Sequence, residues 1–122
     1  MMRALPKSRF LLSLSFLLLA APHGASAHAI IVSSQPSAGS TVSKDAVAIR
    51  LRFNSRIDHA RSRLQLLAPD GAEQVLTITA SAPADELDAE AQALAPGAWR
   101  IRWQVLSVDG HITRGEIPFT IH

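Results

Sequence analysis

The chain has no cysteine. That excludes disulfide cross-links, thiolate zinc sites, a blue-copper cysteine ligand and a cysteine nucleophile. Its two methionines are Met1 and Met2, so no thioether is available deeper in the chain for a Cu(I) site. Aromatic residues are few, four Phe and two Trp. Helical periodicity is scarce, and there is a single long apolar run. The positive charge is also less than it first looks. Of twelve Lys and Arg, three lie in the first nine residues, leaving nine against ten Asp and Glu. A nucleic-acid binder carries a strong basic face, and this near-neutral remainder argues against one. Arg50, Arg52, Arg56, Arg61 and Arg63 do cluster, but a solvated strand face accounts for them.

The apolar run belongs to an export signal. Arg3, Lys7 and Arg9 form a positive start. Residues 10–21 are apolar apart from Ser13 and Ser15, and residues 22–27 end in the small-x-small site Ala25-Ser26-Ala27. The run is shorter than the ~20 residues of a spanning helix. Cleavage after Ala27 is therefore expected, leaving residues 28–122 as one small exported domain with no membrane insertion.

That domain reads as all-β. Val47, Ile49, Leu51 and Phe53 alternate with Ala48, Arg50 and Arg52, the pattern of a half-buried strand. Trp99, Ile101, Trp103 and Val105 alternate in the same way with Arg100, Arg102 and Gln104. Further strands are expected over residues 29–33, 64–67, 75–79, 91–94 and 115–121. Residues 35–40, Ala68-Pro69-Asp70-Gly71, Ala95-Pro96-Gly97 and Asp109-Gly110 make the turns. Residues 80–90, rich in Ala, Asp and Glu, are expected to form a loop. About seven strands in this length predict a Greek-key β-sandwich of immunoglobulin-like or cupredoxin-like kind. Phe53, Trp99, Trp103 and Phe119 fall on apolar phases and are assigned to its core.

Cleavage after Ala27 makes His28 the first residue. Its α-amine and imidazole can close a chelate ring on one metal ion, and nitrogen ligands suit Cu(II). The alternative is a frayed end with no role. A second pair of donors stands in Asp109-Gly110-His111. Asp-Gly is itself a hairpin signal, but no turn type requires His111. Three nitrogens and one oxygen from His28, Asp109 and His111 fit a tetragonal Cu(II) site. His59 and His122 belong to no such pattern and are assigned to the surface.

These residues resemble the CopC family of periplasmic copper-resistance proteins. The matching pieces are His28-Ala29 with Ser34-Gln35-Pro36-Ser37-Ala38-Gly39, then residues 94–103 with Ser107-Val108-Asp109-Gly110-His111, then Gly115-Glu116-Ile117-Pro118-Phe119-Thr120-Ile121. The resemblance implies a small β-sandwich that binds copper as Cu(II) through His28, Asp109 and His111. It implies a periplasmic role in storage, transport or resistance, with an inner-membrane copper transport protein as partner, and a monomer. Where the family often has Phe-Ser-Glu-Pro, this chain has Phe53-Asn54-Ser55-Arg56, without the carboxylate. Two other functions stay open on the residues alone: an oxidative copper enzyme built on the His28 chelate, and a metal-free interaction module. The sequence offers no Ser-His-Asp arrangement and no phosphate-cradling glycine loop, so no catalytic residue is assigned.

Overall fold

Strict alternation turns the two best-patterned segments into facing strands of a sandwich. In the computed structural model, which describes residues 29–122, eight strands form in chain order. They are β1 (Ile31–Gln35), β2 (Ser40–Val42), β3 (Val47–Phe53), β4 (Arg63–Leu67), β5 (Glu73–Leu76), β6 (Glu86–Ala91), β7 (Gly97–Leu106) and β8 (Ile112–Ile121). A short 3-10 turn at His59–Arg61 joins β3 to β4. One sheet has the order β1-β3-β6 and the other β2-β8-β7-β4-β5. The chain crosses repeatedly between the two sheets, giving the Greek-key sandwich expected from the sequence.

The core lies between the sheets. Ile49, Leu51 and Phe53 of β3 and Leu87 of β6 face Leu64 and Leu66 of β4, Ile101 and Val105 of β7 and Phe119 of β8, all fully buried. Phe53 meets Trp103 edge-on across the sheets, with ring centroids 5.4 Å apart and planes at 69°. Trp99 is buried too, and its indole N–H donates to the Ala95 carbonyl at 2.8 Å. The aromatic assignment to the core therefore holds. The outward residues of β7 carry charge: Arg102 pairs with Glu116 and Glu73, and Arg100 with Glu116.

Three expectations need correction. The stretch over residues 86–91 is an edge strand of the three-stranded sheet, paired with β3, not a loop leading to a strand at 91–94. Leu87, Ala89 and Ala91 point inward while Glu86, Asp88 and Glu90 are more exposed. Pairing with β3 sets Asp88 opposite Arg50 and Glu86 opposite Arg52, and opposite charges across a strand pair offset the low β-propensity of Ala, Asp and Glu. Ser40–Val42 adds an eighth strand, parallel to β8, where a turn was expected up to Ser40 and no strand after it. Several boundaries move: β1 begins at Ile31, β5 covers Glu73–Leu76, and β8 begins at Ile112.

Candidate metal centre

β7 and β8 form the longest hairpin, paired from Gly97↔Ile121 to Leu106↔Ile112. The five residues between them, 107–111, carry Asp109 and His111. Gly110 has φ +91°, in the left-handed region that favours glycine, and nothing lies within 4 Å of where its Cβ would be. Its requirement is therefore conformational rather than steric. The turn closes on backbone bonds from Ser107 N–H to His111 C=O (2.9 Å) and from Gly110 N–H to Ser107 C=O (2.9 Å).

Ser107 organises this turn. It is buried, and its hydroxyl donates to Asp109 Oδ1 and lies 3.1 Å from the His111 carbonyl. The same Oδ1 accepts from the His111 backbone N–H at 3.3 Å and lies 3.3 Å from His111 Nδ1. The Ser107 hydroxyl, aided by the His111 backbone N–H and the His111 ring, holds the Asp109 carboxyl below the usual carboxylate range against a partial desolvation. Asp109 is thus favoured in its ionised form, the form a metal ion would require of a ligand. Both side chains remain about half exposed, 53% for His111 and 45% for Asp109. A carboxylate and an imidazole therefore stand side by side on an accessible turn.

The third predicted ligand, His28, lies outside the described residues. Its neighbours are described. Ala29 is completely buried in the core. Ile30 is gripped by Asn54: the Ile30 N–H donates to Asn54 Oδ1 at 2.9 Å, and the Asn54 N–H donates to the Ile30 carbonyl at 2.9 Å. From Asn54 the chain runs directly to the Asp109–His111 turn. Val108 N–H donates to the Arg56 carbonyl at 3.3 Å, and Ile57 bridges to Ser107. Residues 54–57 thus form a bracket with the start of the domain on one side and the Asp109 turn on the other. Among the described residues, no three His, Asp or Glu side chains converge as a metal site.

His59 and His122 lie elsewhere. His59 is half-buried, and its Nε2 lies 2.6 Å from the Glu86 carbonyl, tying the 3-10 turn to β6. It is therefore more anchored than a free surface histidine. His122 is exposed, and its backbone N–H donates to Val42. A surface groove of about 610 Å³ is lined by residues such as Gln35, Lys44, Glu90 and Gln92 and includes none of the turn. Two residues gained roles that the sequence reading did not give them. Ser107 stood only as part of a motif, and Asn54 only as part of the stretch Phe53-Asn54-Ser55-Arg56 that lacks a carboxylate.

Residues 31–122 match the family described as the CopC domain. The chain belongs to the CopC family. Protein YobA of Escherichia coli K12 is 31% identical over 101 residues, covering 78% of this chain and 79% of YobA. Among solved structures, CopC from Methylosinus trichosporium OB3b superposes with a TM-score of 0.69 at 31% identity, covering 77% of this chain and 93% of that one. PcoC from Escherichia coli, described as a methionine-rich copper resistance protein, superposes with a TM-score of 0.65, covering 79% of this chain and all of PcoC. At 24% identity the likeness to PcoC shows the fold alone. The CopC-family domain here differs from a methionine-rich protein in composition, since no methionine lies beyond Met2.

Proposed function

We propose that this CopC-family protein is a periplasmic Cu(II) carrier in copper resistance, holding the ion through His28, Asp109 and His111. Export removes residues 1–27, and the resulting α-amine joins the His28 imidazole, an Asp109 oxygen and a His111 nitrogen as the ligand set. Copper is cargo in this reading, bound and exchanged without chemistry on a substrate, and passed to an inner-membrane copper transport protein. Among the described residues no helix is long and apolar enough to cross a membrane.

The observation that carries the reading is the bracket of residues 54–57. It ties Ile30 to one side and Ser107 and Val108 to the other. His28 is two residues from Ile30, and two residues of chain reach at most about 7 Å. Family membership supplies the copper, and the donor types supply the oxidation state. Imidazole, amine and carboxylate favour Cu(II), whereas Cu(I) prefers the soft sulfur donors that this domain lacks. The ionised Asp109 and the open exposure of the turn suit a site that must both take and release an ion.

Cu(II) titration against a competing chelator tests the turn. Asp109→Ala and His111→Ala should each lower Cu(II) affinity at least about tenfold and alter the Cu(II) EPR spectrum of the processed protein. Two variants with the wild-type spectrum and affinity would remove the turn from the site.

A further inference from the structure

A strand that ends must hand its last hydrogen bonds to something. β3 ends at Phe53, which is aligned with Ile31. One residue further, Asn54 still bonds to Ile30, but by a mixed pair. Its backbone N–H donates to the Ile30 carbonyl, as a strand residue would, while its side-chain Oδ1 accepts the Ile30 N–H. The side-chain amide thus supplies the acceptor at the point where the main chain leaves the strand. The chain can then turn toward Ser55, Arg56 and Ile57 without leaving the Ile30 N–H unpaired. Asparagine suits this position because its side-chain carbonyl has the geometry and strength of a peptide carbonyl. Ser55 and Arg56 follow; the Arg56 carbonyl accepts from Val108 N–H and the Asp58 N–H donates to the Leu106 carbonyl, which sets Ile57 opposite Ser107.

We infer that Asn54 is a positioning residue of the copper centre: by holding Ile30 it fixes the amine-bearing start of the domain relative to the Asp109–His111 turn. The inference rests on the His28 chelate proposed above. Asn54 does not touch the metal. It holds Ile30, which stands two residues from the α-amine. Ile30 is itself 54% exposed, so apolar packing of its side chain contributes little to this restraint. The hydrogen bonds to Asn54 are its anchor. The neighbouring Ala29 is buried and fixes depth, but a methyl group gives no direction.

The experiment is a double-mutant cycle read by Cu(II) affinity and EPR. Its four proteins are the processed wild type, processed Asn54→Ala, and both again with one extra residue placed before His28. The extra residue turns the α-amine into an amide and removes it as a ligand. In the processed background Asn54→Ala should lower Cu(II) affinity about tenfold, the lower end of what supporting residues contribute. In the extended background it should change affinity less than about twofold, since no amine remains to be positioned. Asn54→Asp, which keeps an acceptor oxygen at the same place, should recover most of the affinity. An Asn54→Ala loss of equal size in both backgrounds, or no loss in the processed one, overturns the positioning role while leaving the chelate intact. Equal affinity of the processed and extended wild types overturns the chelate, and the positioning role with it.

Discussion

At the scale of single residues, the proposed site rests on Ser107 as well as on Asp109 and His111. Its hydroxyl fixes one Asp109 oxygen, and its backbone closes the turn on His111. Ser107→Ala should therefore lower Cu(II) affinity about tenfold. Once Asp109 is already alanine, the same change should add little, because the hydroxyl then has no carboxylate to orient. Additive losses in a competition titration would show that Ser107 acts by another route. The histidines divide in a parallel way. His59 is bonded to the Glu86 carbonyl and belongs to the scaffold. His59→Ala should lower the melting temperature but leave the Cu(II) EPR spectrum unchanged, the reverse of His111→Ala. In the sequence, His111 stood out because no turn type asks for it. Ser107 did not, because a serine near a turn is common and its burial appears only once the hairpin is folded.

At the scale of elements, β7 and β8 form a platform that holds the metal turn at one end. Gly115 pairs with Trp103, and a Cβ there would meet the indole Cζ2 at 2.5 Å. The indole is wedged in the core against Phe53, so it cannot swing away. Gly115→Ala should destabilise the domain by about 1–3 kcal/mol, seen as a lower urea midpoint with an unchanged slope. On the outer face, Glu116 accepts from Arg102 Nε and Nη2 at 3.0 Å each and from Arg100 Nη1 at 3.0 Å. Arg102, and with it Arg100, holds the Glu116 carboxyl below its usual range against slight desolvation. A depressed folded-state pKa gives stability that is complete above the unfolded value, about 4.3. That stability disappears as the pH falls through the lower folded value. Glu116→Gln should flatten the acid side of the stability profile as the pH falls below the usual carboxylate range. An unchanged acid slope would mean that the pair is not formed in solution. β6 shows why pattern reading failed in one place. Its inward residues are Leu87, Ala89 and Ala91, and two alanines among carboxylates look like solvent-exposed chain. What makes this segment a strand is its pairing with β3, which sets Asp88 and Glu86 opposite Arg50 and Arg52, and a partner so distant in sequence is invisible to a local window.

At the scale of the whole molecule, the sandwich follows from alternation in β3 and β7, which place Phe53 and Trp103 face to edge between the sheets. That much was legible in the sequence, as was the pairing of Asp109 with His111 on one turn. The short parallel strand β2 was not, because three residues carry no period of their own and their register is set by β8. Nor was the bracket of residues 54–57, which depends on one side-chain amide replacing a backbone carbonyl. The bracket joins the start of the domain to the β7–β8 turn, so the proposed copper site draws on segments far apart in the chain. The account's central claim is that export completes the site by creating an α-amine at His28. The direct test is the Cu(II) affinity of the processed protein beside that of the same chain with one residue added before His28, measured by chelator competition. A loss of at least about tenfold on extension, with a nitrogen removed from the EPR hyperfine pattern, is the predicted result. Equal affinities and identical spectra would contradict it.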